Sequence, residues 1–373
     1  MHGQFQSRGS IPRLTFVSLI AALSIIAVAR PVDAQDAPIL RILDQFTAKN
    51  VPTSGPSEPG PTARNWLDPT TNPSTINLTL PGNGIAQHPM LYAGEGFNTL
   101  FLVKGGKVIW TYSSGRGGEL DDVWLMTNGN VVYSRMNFIE EVTPRKTIAW
   151  HFDAPKGTEI HTCQPIGLDK VLFVENGLPP RAVIMNTTTG KVEMEHALPA
   201  PSATDAKTVH PQFRRFRITA AGTFLAAHLN MNKVVEYDKD FNVIWSYDIS
   251  SPWSAARLKN GNTLIADEKD RLVREVNPKS QTVWEFKQSD LPAGIVQHNI
   301  QTAERLASGN TIIVSSTSGA NGIDRIKTAQ VVEVTPDKKV VWVLQDWKNL
   351  GPATTVQLLD EPGIPENPGD LQR

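Results

Sequence analysis

The chain has 373 residues, 36 Lys and Arg against 37 Asp and Glu, and one cysteine, Cys163. Near-neutral charge without a basic block argues against nucleic-acid binding and against a polybasic membrane patch. A single cysteine excludes an intramolecular disulfide, so a large hydrophobic core has to carry the fold.

The N-terminus comes first. Residues 1–13 hold Arg8 and Arg13 and no acid, "LTFVSLIAALSIIAVA" (14–29) is apolar, and a small-x-small pattern ends at Ala34. This order reads as a cleaved secretory signal over 1–34, its apolar run shorter than the ~20 residues of a membrane span. Cleavage removes Arg8, Arg13, Arg30 and Asp33 and leaves 33 basic and 36 acidic residues, a net charge of −3. The mature chain is then expected in the periplasm or outside the cell, a bacterial envelope protein without a membrane span. The sequons at Asn77 and Asn186 are read as incidental. Residues 35–85 read as a short amphipathic helix (38–48) followed by a Pro-rich extended arm (51–85) that wraps the rest.

Residues 86–363 repeat. "LMTNGNVV" (125–132), "RLKNGNTL" (257–264) and "RLASGNTI" (305–312) share a turn. Each is followed by a Glu-Val-x-Pro strand ("EEVTP", "REVNP", "VEVTP") and a strand with a central Trp ("TIAWHF", "QTVWEF", "KVVWVL"). Short runs rich in Val, Ile and Thr, bounded by Gly, Asn, Asp or Pro, are strands, and the turn Gly supplies the positive φ of a tight hairpin. Weaker copies surround "RITAAGTFL" (217–225) and "PIGLDKVLF" (165–173), and a three-strand region spans 90–113. The Trp position recurs as Trp110, Trp150, Met194, Trp245, Trp284 and Trp342, with spacings of 40, 44, 51, 39 and 58. That period matches the ~40–45 residues of a four-stranded propeller blade.

The expected fold is therefore all-β: a six-bladed β-propeller of four-stranded blades. The first region lacks an innermost strand, and "PATTVQLLDEPG" (352–363) supplies one, so a C-terminal strand closes the ring. Residues 364–373 read as a tail. Arg217, Arg257 and Arg305 fall in one repeat position, and Glu141, Glu236, Glu275 and Glu333 in another. Recurrence blade after blade marks both as paired scaffold residues. The Trp position reads as core.

Function is sought where the copies stop matching, in the loops leading into each innermost strand. These carry Asp121 and Asp122, His161 (with Cys163 beside it), His210, Arg214 and Arg215, Trp253, and His298 with Gln301. Histidines and arginines around one axis can bind an anion and move protons near neutral pH. The same histidines could instead cap backbone groups between blades. Cys163 is either a nucleophile paired with His161 or a small buried hydrophobe. Walker, Gly-x-Ser-x-Gly, His-Glu-x-x-His and paired-Cys zinc motifs are absent, and neither a metal nor a cofactor is expected.

The unit "LxNGNTL…REVNP…VVWEF" resembles the repeats of bacterial aryl-sulfate sulfotransferases and, more distantly, of quinoprotein propellers, over about residues 88–363. The resemblance implies transfer of a sulfuryl group from an aryl sulfate to a phenol through a channel histidine. His161, His210 and His298 would then be nucleophile and acid/base partners, with Arg214 or Arg215 as the sulfate clamp. The chain departs from that family in lacking a separate N-terminal β-domain. The alternative is a non-catalytic ligand-binding or scaffold propeller of the cell envelope. In either case the expected partner is a small anionic or aromatic molecule at the channel, bound by a monomer.

Overall fold

In the computed structural model, residues 38–47, 80–115, 118–316 and 327–373 are described, together with Met1. Residues 2–34 of the expected signal segment and arm residues 51–79 lie outside the described residues.

Six four-stranded antiparallel sheets form the ring. Blade 1 takes β1 (Met90–Gly94), β2 (Thr99–Lys104) and β3 (Lys107–Ser113); blade 2 takes β4 (Leu120–Leu125), β5 (Val131–Arg135), β6 (Phe138–Val142) and β7 (Ile148–Asp153). Blade 3 comprises β8 (Cys163–Ile166), β9 (Lys170–Glu175), β10 (Arg181–Asn186) and β11 (Val192–Ala197). In blade 4 these are β12 (Phe213–Ile218), β13 (Phe224–His228), β14 (Lys233–Tyr237) and β15 (Val243–Asp248). Blade 5 has β16 (Pro252–Arg257), β17 (Thr263–Asp267), β18 (Leu272–Val276) and β19 (Thr282–Lys287). Blade 6 has β20 (Asn299–Arg305), β21 (Thr311–Ser316), β22 (Val331–Val334) and β23 (Val340–Leu344). The strand β24 (Ala353–Leu358) then pairs with β1 and completes blade 1, Met90 opposite Leu358 and Tyr92 opposite Val356. The expected closure by a C-terminal strand is what the register shows.

Burial follows strand position. β4 and β17 are buried throughout, whereas the outermost β7 and β15 alternate between exposed and half-buried residues. The helix α1 (Ile39–Thr47) sets Ile39, Ile42, Leu43 and Phe46 on one stripe, and that stripe is buried with Trp110, Leu120 and Tyr133 of blades 1 and 2.

The repeated turn explains its own sequence. Gly129, Gly261 and Gly309 have φ of 91°, 85° and 89°, the left-handed region that Gly enters without strain. The Asn after each Gly donates Nδ2–H to the recurring glutamate at 2.6 Å: Asn130 to Glu141, Asn262 to Glu275, Asn310 to Glu333. The recurring arginine then reaches the previous blade. Arg305 donates to Glu275 Oε2 at 2.7 Å and to its own turn carbonyl of Gly309 at 3.0 Å, and it lies 4.9 Å over the Trp284 ring. Arg257 does the same with Glu236, Gly261 and Trp245. The Trp position ties blades in the other direction, Trp110 donating to Pro144 O and Trp284 to Pro336 O.

One expected member of the arginine position belongs elsewhere. Arg257 and Arg305 sit opposite Thr263 and Thr311, but Arg217 sits opposite Leu225, and it is Ile218 that faces Phe224. Arg217 therefore matches Ala256, opposite Leu264, and Glu304, opposite Ile312. The blade 4 turn places its Gly one residue later in the motif, and in a strand a shift of one residue sends the side chain to the opposite face. Arg217 points inward and pairs with Asp122 at 2.8 and 3.1 Å.

The expected tail is also packed. Gln372 and Arg373 are buried, and the Arg373 guanidinium sits among the inner strands, on Thr355 Oγ1, the Val123 carbonyl and the Trp124 ring. Among the described residues no helix is long and apolar enough to cross a membrane.

Candidate functional site

The inner strands β24, β4, β8, β12, β16 and β20 stand at the axis of the ring, so their lead-in residues meet at one mouth. Alternation along an extended chain puts residues two apart on one face. Glu119 and Asp121 share a face before and on β4, and Glu159 and His161 share one before β8. These four side chains converge with His210, which precedes β12.

The geometry is close. The His161 and His210 rings meet edge to face with centroids 5.2 Å apart. Glu159 Oε2 lies 2.9 Å from His161 Nε2 and 2.8 Å from His210 Nδ1, one carboxylate oxygen shared by two imidazoles. His161 Nδ1 faces Asp121 Oδ2 at 2.9 Å and Glu119 Oε2 at 3.3 Å. His210 Nε2 faces Glu119 Oε1 at 3.5 Å and accepts from Arg214 at 3.1 Å.

Exposure divides the groups. His161 is 1 % exposed, while the side chains of His210, Glu119 and Glu159 are 45 %, 30 % and 21 % exposed. Burial and the Arg214 charge act to lower the His161 pKa, yet the Asp121 and Glu119 carboxylates overcome both and raise it to about 9. His161 is thus an imidazolium at neutral pH. Burial would raise Glu119 and Glu159, but hydrogen bonds and charge from the two histidines, with Arg214 added at Glu119, bring each down to about 2. Glu95, between β1 and β2, behaves oppositely. Burial, then Asp121 and Glu119, lift it to about 8, so it is neutral at pH 7.

The remaining expected site residues fall into other surroundings. Arg214 reaches the cluster but is buried, its guanidinium bound to the His210 carbonyl and lying 4.6 Å over the buried Trp253 ring. Arg215 is spent on the carbonyls of His161 and Asp121, and Asp122 on Arg217 and the Cys163 amide. These two form a layer beneath the mouth. Gln301 donates to Ser316 Oγ within blade 6. His298 is half-buried at the start of β20, its amide on Ser315 Oγ, and is not a member of the His161–His210 ring pair. Cys163 lies among Trp124, Val171 and Phe173, and burial, with Asp122, pushes its thiol well up, which keeps it from acting as a thiolate.

Three acids, Glu95, Glu119 and Glu159, were not among the expected residues. For two of them the signal was present: each stands two residues before a singled-out residue, Glu119 before Asp121 and Glu159 before His161. Glu95 comes from the connection between β1 and β2, beside Asp121 and Glu119. A second concavity of about 560 Å³ lies at the other end, between the blade 5 and 6 turns and residues 361–372. Its Arg257, Arg305 and Glu275 are already engaged in the inter-blade ties, so the lead-in mouth is the better candidate site.

No protein-family description and no curated protein sequence matches this chain. Among solved structures, it is similar to a protein of unknown function from Bacteroides caccae, with a TM-score of 0.64 and 22 % identity, over 72 % of this chain and 98 % of that one. That likeness establishes the propeller fold. A streptogramin B lyase aligns with a TM-score of 0.49 and 10 % identity over 73 % of this chain and 86 % of its own. The WD40 propeller domain of Doa1 aligns with a TM-score of 0.44 and 14 % identity over 61 % and 70 %.

Proposed function

We propose that this protein is an exported, small-molecule-binding propeller whose lead-in mouth seats a positively charged or hydrogen-donating group. The observation that supports it is which groups reach solvent. Glu119, Glu159 and His210 are partly exposed, while the one arginine among them is buried and engaged. With Asp121 behind them, these partly exposed carboxylates attract a cation or an N–H donor and repel an anion. The export half of the reading rests on the sequence pattern at 1–34.

Sulfuryl transfer is the second reading, and His210 is the residue that favours it. Its ring is exposed, its Nδ1–H is held by Glu159, and its Nε2 lone pair could attack sulfur while the aryl oxygen leaves with its electron pair. A sulfate ester would approach against Glu119 and Glu159, which ranks this reading second.

One titration separates them. Untagged, EDTA-treated protein is titrated calorimetrically with tyramine, and separately incubated with p-nitrophenyl sulfate and a phenol acceptor. Saturable tyramine binding, weakened in Glu159→Gln, is the expected result. Absence of tyramine binding to folded protein overturns the first reading. Nitrophenol release that disappears in His210→Ala would put sulfuryl transfer in its place.

A further inference from the structure

We infer that Glu119, His161 and His210 form the seat of one divalent transition-metal ion of the zinc or iron(II) class. The inference rests on the reading of this mouth as a place for positive charge, and gives that charge a chemical identity. One ligand atom from each of the three residues lies within 4.8 Å of the others. The Glu119 carboxylate reaches both rings, Oε2 lying 3.3 Å from His161 Nδ1 and Oε1 3.5 Å from His210 Nε2. A tetrahedral ion with bonds of about 2.0–2.1 Å holds its ligands about 3.3–3.4 Å apart. Two imidazoles and one carboxylate with a remaining open position is the ligand set of catalytic zinc and of non-heme iron(II).

The surroundings fit as well. A metal-bound imidazole needs an acceptor for its other N–H, which fixes the tautomer and the ring. Glu159 Oε2 is that acceptor for both rings at once, at 2.9 Å from His161 Nε2 and 2.8 Å from His210 Nδ1. The nitrogens left with lone pairs are the two that face Glu119. Asp121 Oδ2, 2.9 Å from His161 Nδ1, is at hand as a fourth ligand. Glu119 Oε2 is a buried oxygen, 3.3 Å from His161 Nδ1 and 3.7 Å from the Arg214 guanidinium. The exposed side of His210 leaves the open position toward solvent.

Arg214 is the competitor. Its guanidinium lies 3.1 Å from His210 Nε2 and 3.7 Å from Glu119, where positive charge is wanted. Metal entry releases the His161 proton to solvent and breaks the Arg214–Nε2 bond, while the Arg214 bond to the His210 carbonyl and its seat over Trp253 remain.

The test uses untagged full-length protein stripped with EDTA, titrated with Zn²⁺ at pH 7.5 by calorimetry, with bound metal counted after gel filtration. One Zn²⁺ per chain is expected. Binding should vanish in His210→Ala, which alters an exposed side chain and should leave the fold intact by circular dichroism. Glu159→Gln should weaken it by about 10–100-fold. Arg214→Met should strengthen it several-fold, an outcome that a purely structural role for this cluster would not give. Folded wild-type protein that binds no Zn²⁺, or binds it equally after His210→Ala, overturns the metal site. Tyramine binding to the stripped protein is read in parallel: if it persists while Zn²⁺ fails, the metal alone is refuted, and if both fail, the mouth is not a site for cations.

Discussion

Replacing His161 with Gln removes the buried cation that Glu119, Asp121 and Glu159 share. In the fold its pKa stands at about 9 against an ordinary 6.5. At about 1.4 kcal/mol per pKa unit, that gap corresponds to roughly 3 kcal/mol of stability. The depressed pKa values of Glu119 and Glu159 are the same interaction seen from the other partners, so they are not added. Because the folded pKa is raised, the contribution is complete below about pH 6.5 and is lost as pH climbs through 9. The wild type should therefore exceed His161→Gln by a margin that shrinks by about 3 kcal/mol between pH 6 and pH 9.5. Denaturant melts of both proteins at each pH measure this margin. His88, raised to about 9 against the pull of burial by Asp360 and Glu333, titrates in the same window but is present in both proteins, so it cancels. A margin equal at the two pH values would show that His161 is neutral in the fold and would refute the argument.

Two further expectations concern the scaffold. Asn262→Ala strips a 2.6 Å hydrogen bond from the buried Glu275, which also holds Arg305, and should lower stability by about 1–3 kcal/mol in chemical denaturation. Cys163 should react with a thiol reagent only after unfolding. Native modification at the rate of an exposed thiol would contradict its burial and raised pKa.

Much of the fold was legible because repetition is a tertiary fact written in the chain. Strand runs, a turn Gly at each copy and a recurring Trp fix the period, and a missing strand at one end with a spare at the other fixes the closure. The ties between blades were legible as positions that recur, although not as bonds. What misled was register: "RITAAGT" and "RLKNGNT" align by letters, yet the later Gly in blade 4 turns Arg217 inward to Asp122.

The candidate site was legible by half. Asp121, His161, His210 and Arg214 stood out as residues that break the repeat, and the fold brings them together. Trp253, a lead-in candidate for binding, lies buried beneath Arg214, since only packing decides which of two neighbours covers the other. The sequence by itself determined a six-bladed ring and the mouth at which unlike residues gather, since a repeat constrains every copy to the same local geometry. Only the tertiary structure decided the character of that mouth. Charge at a site is a sum over groups from several blades, and Glu119 and Glu159 enter that sum through space beside the histidines and arginine that break the repeat.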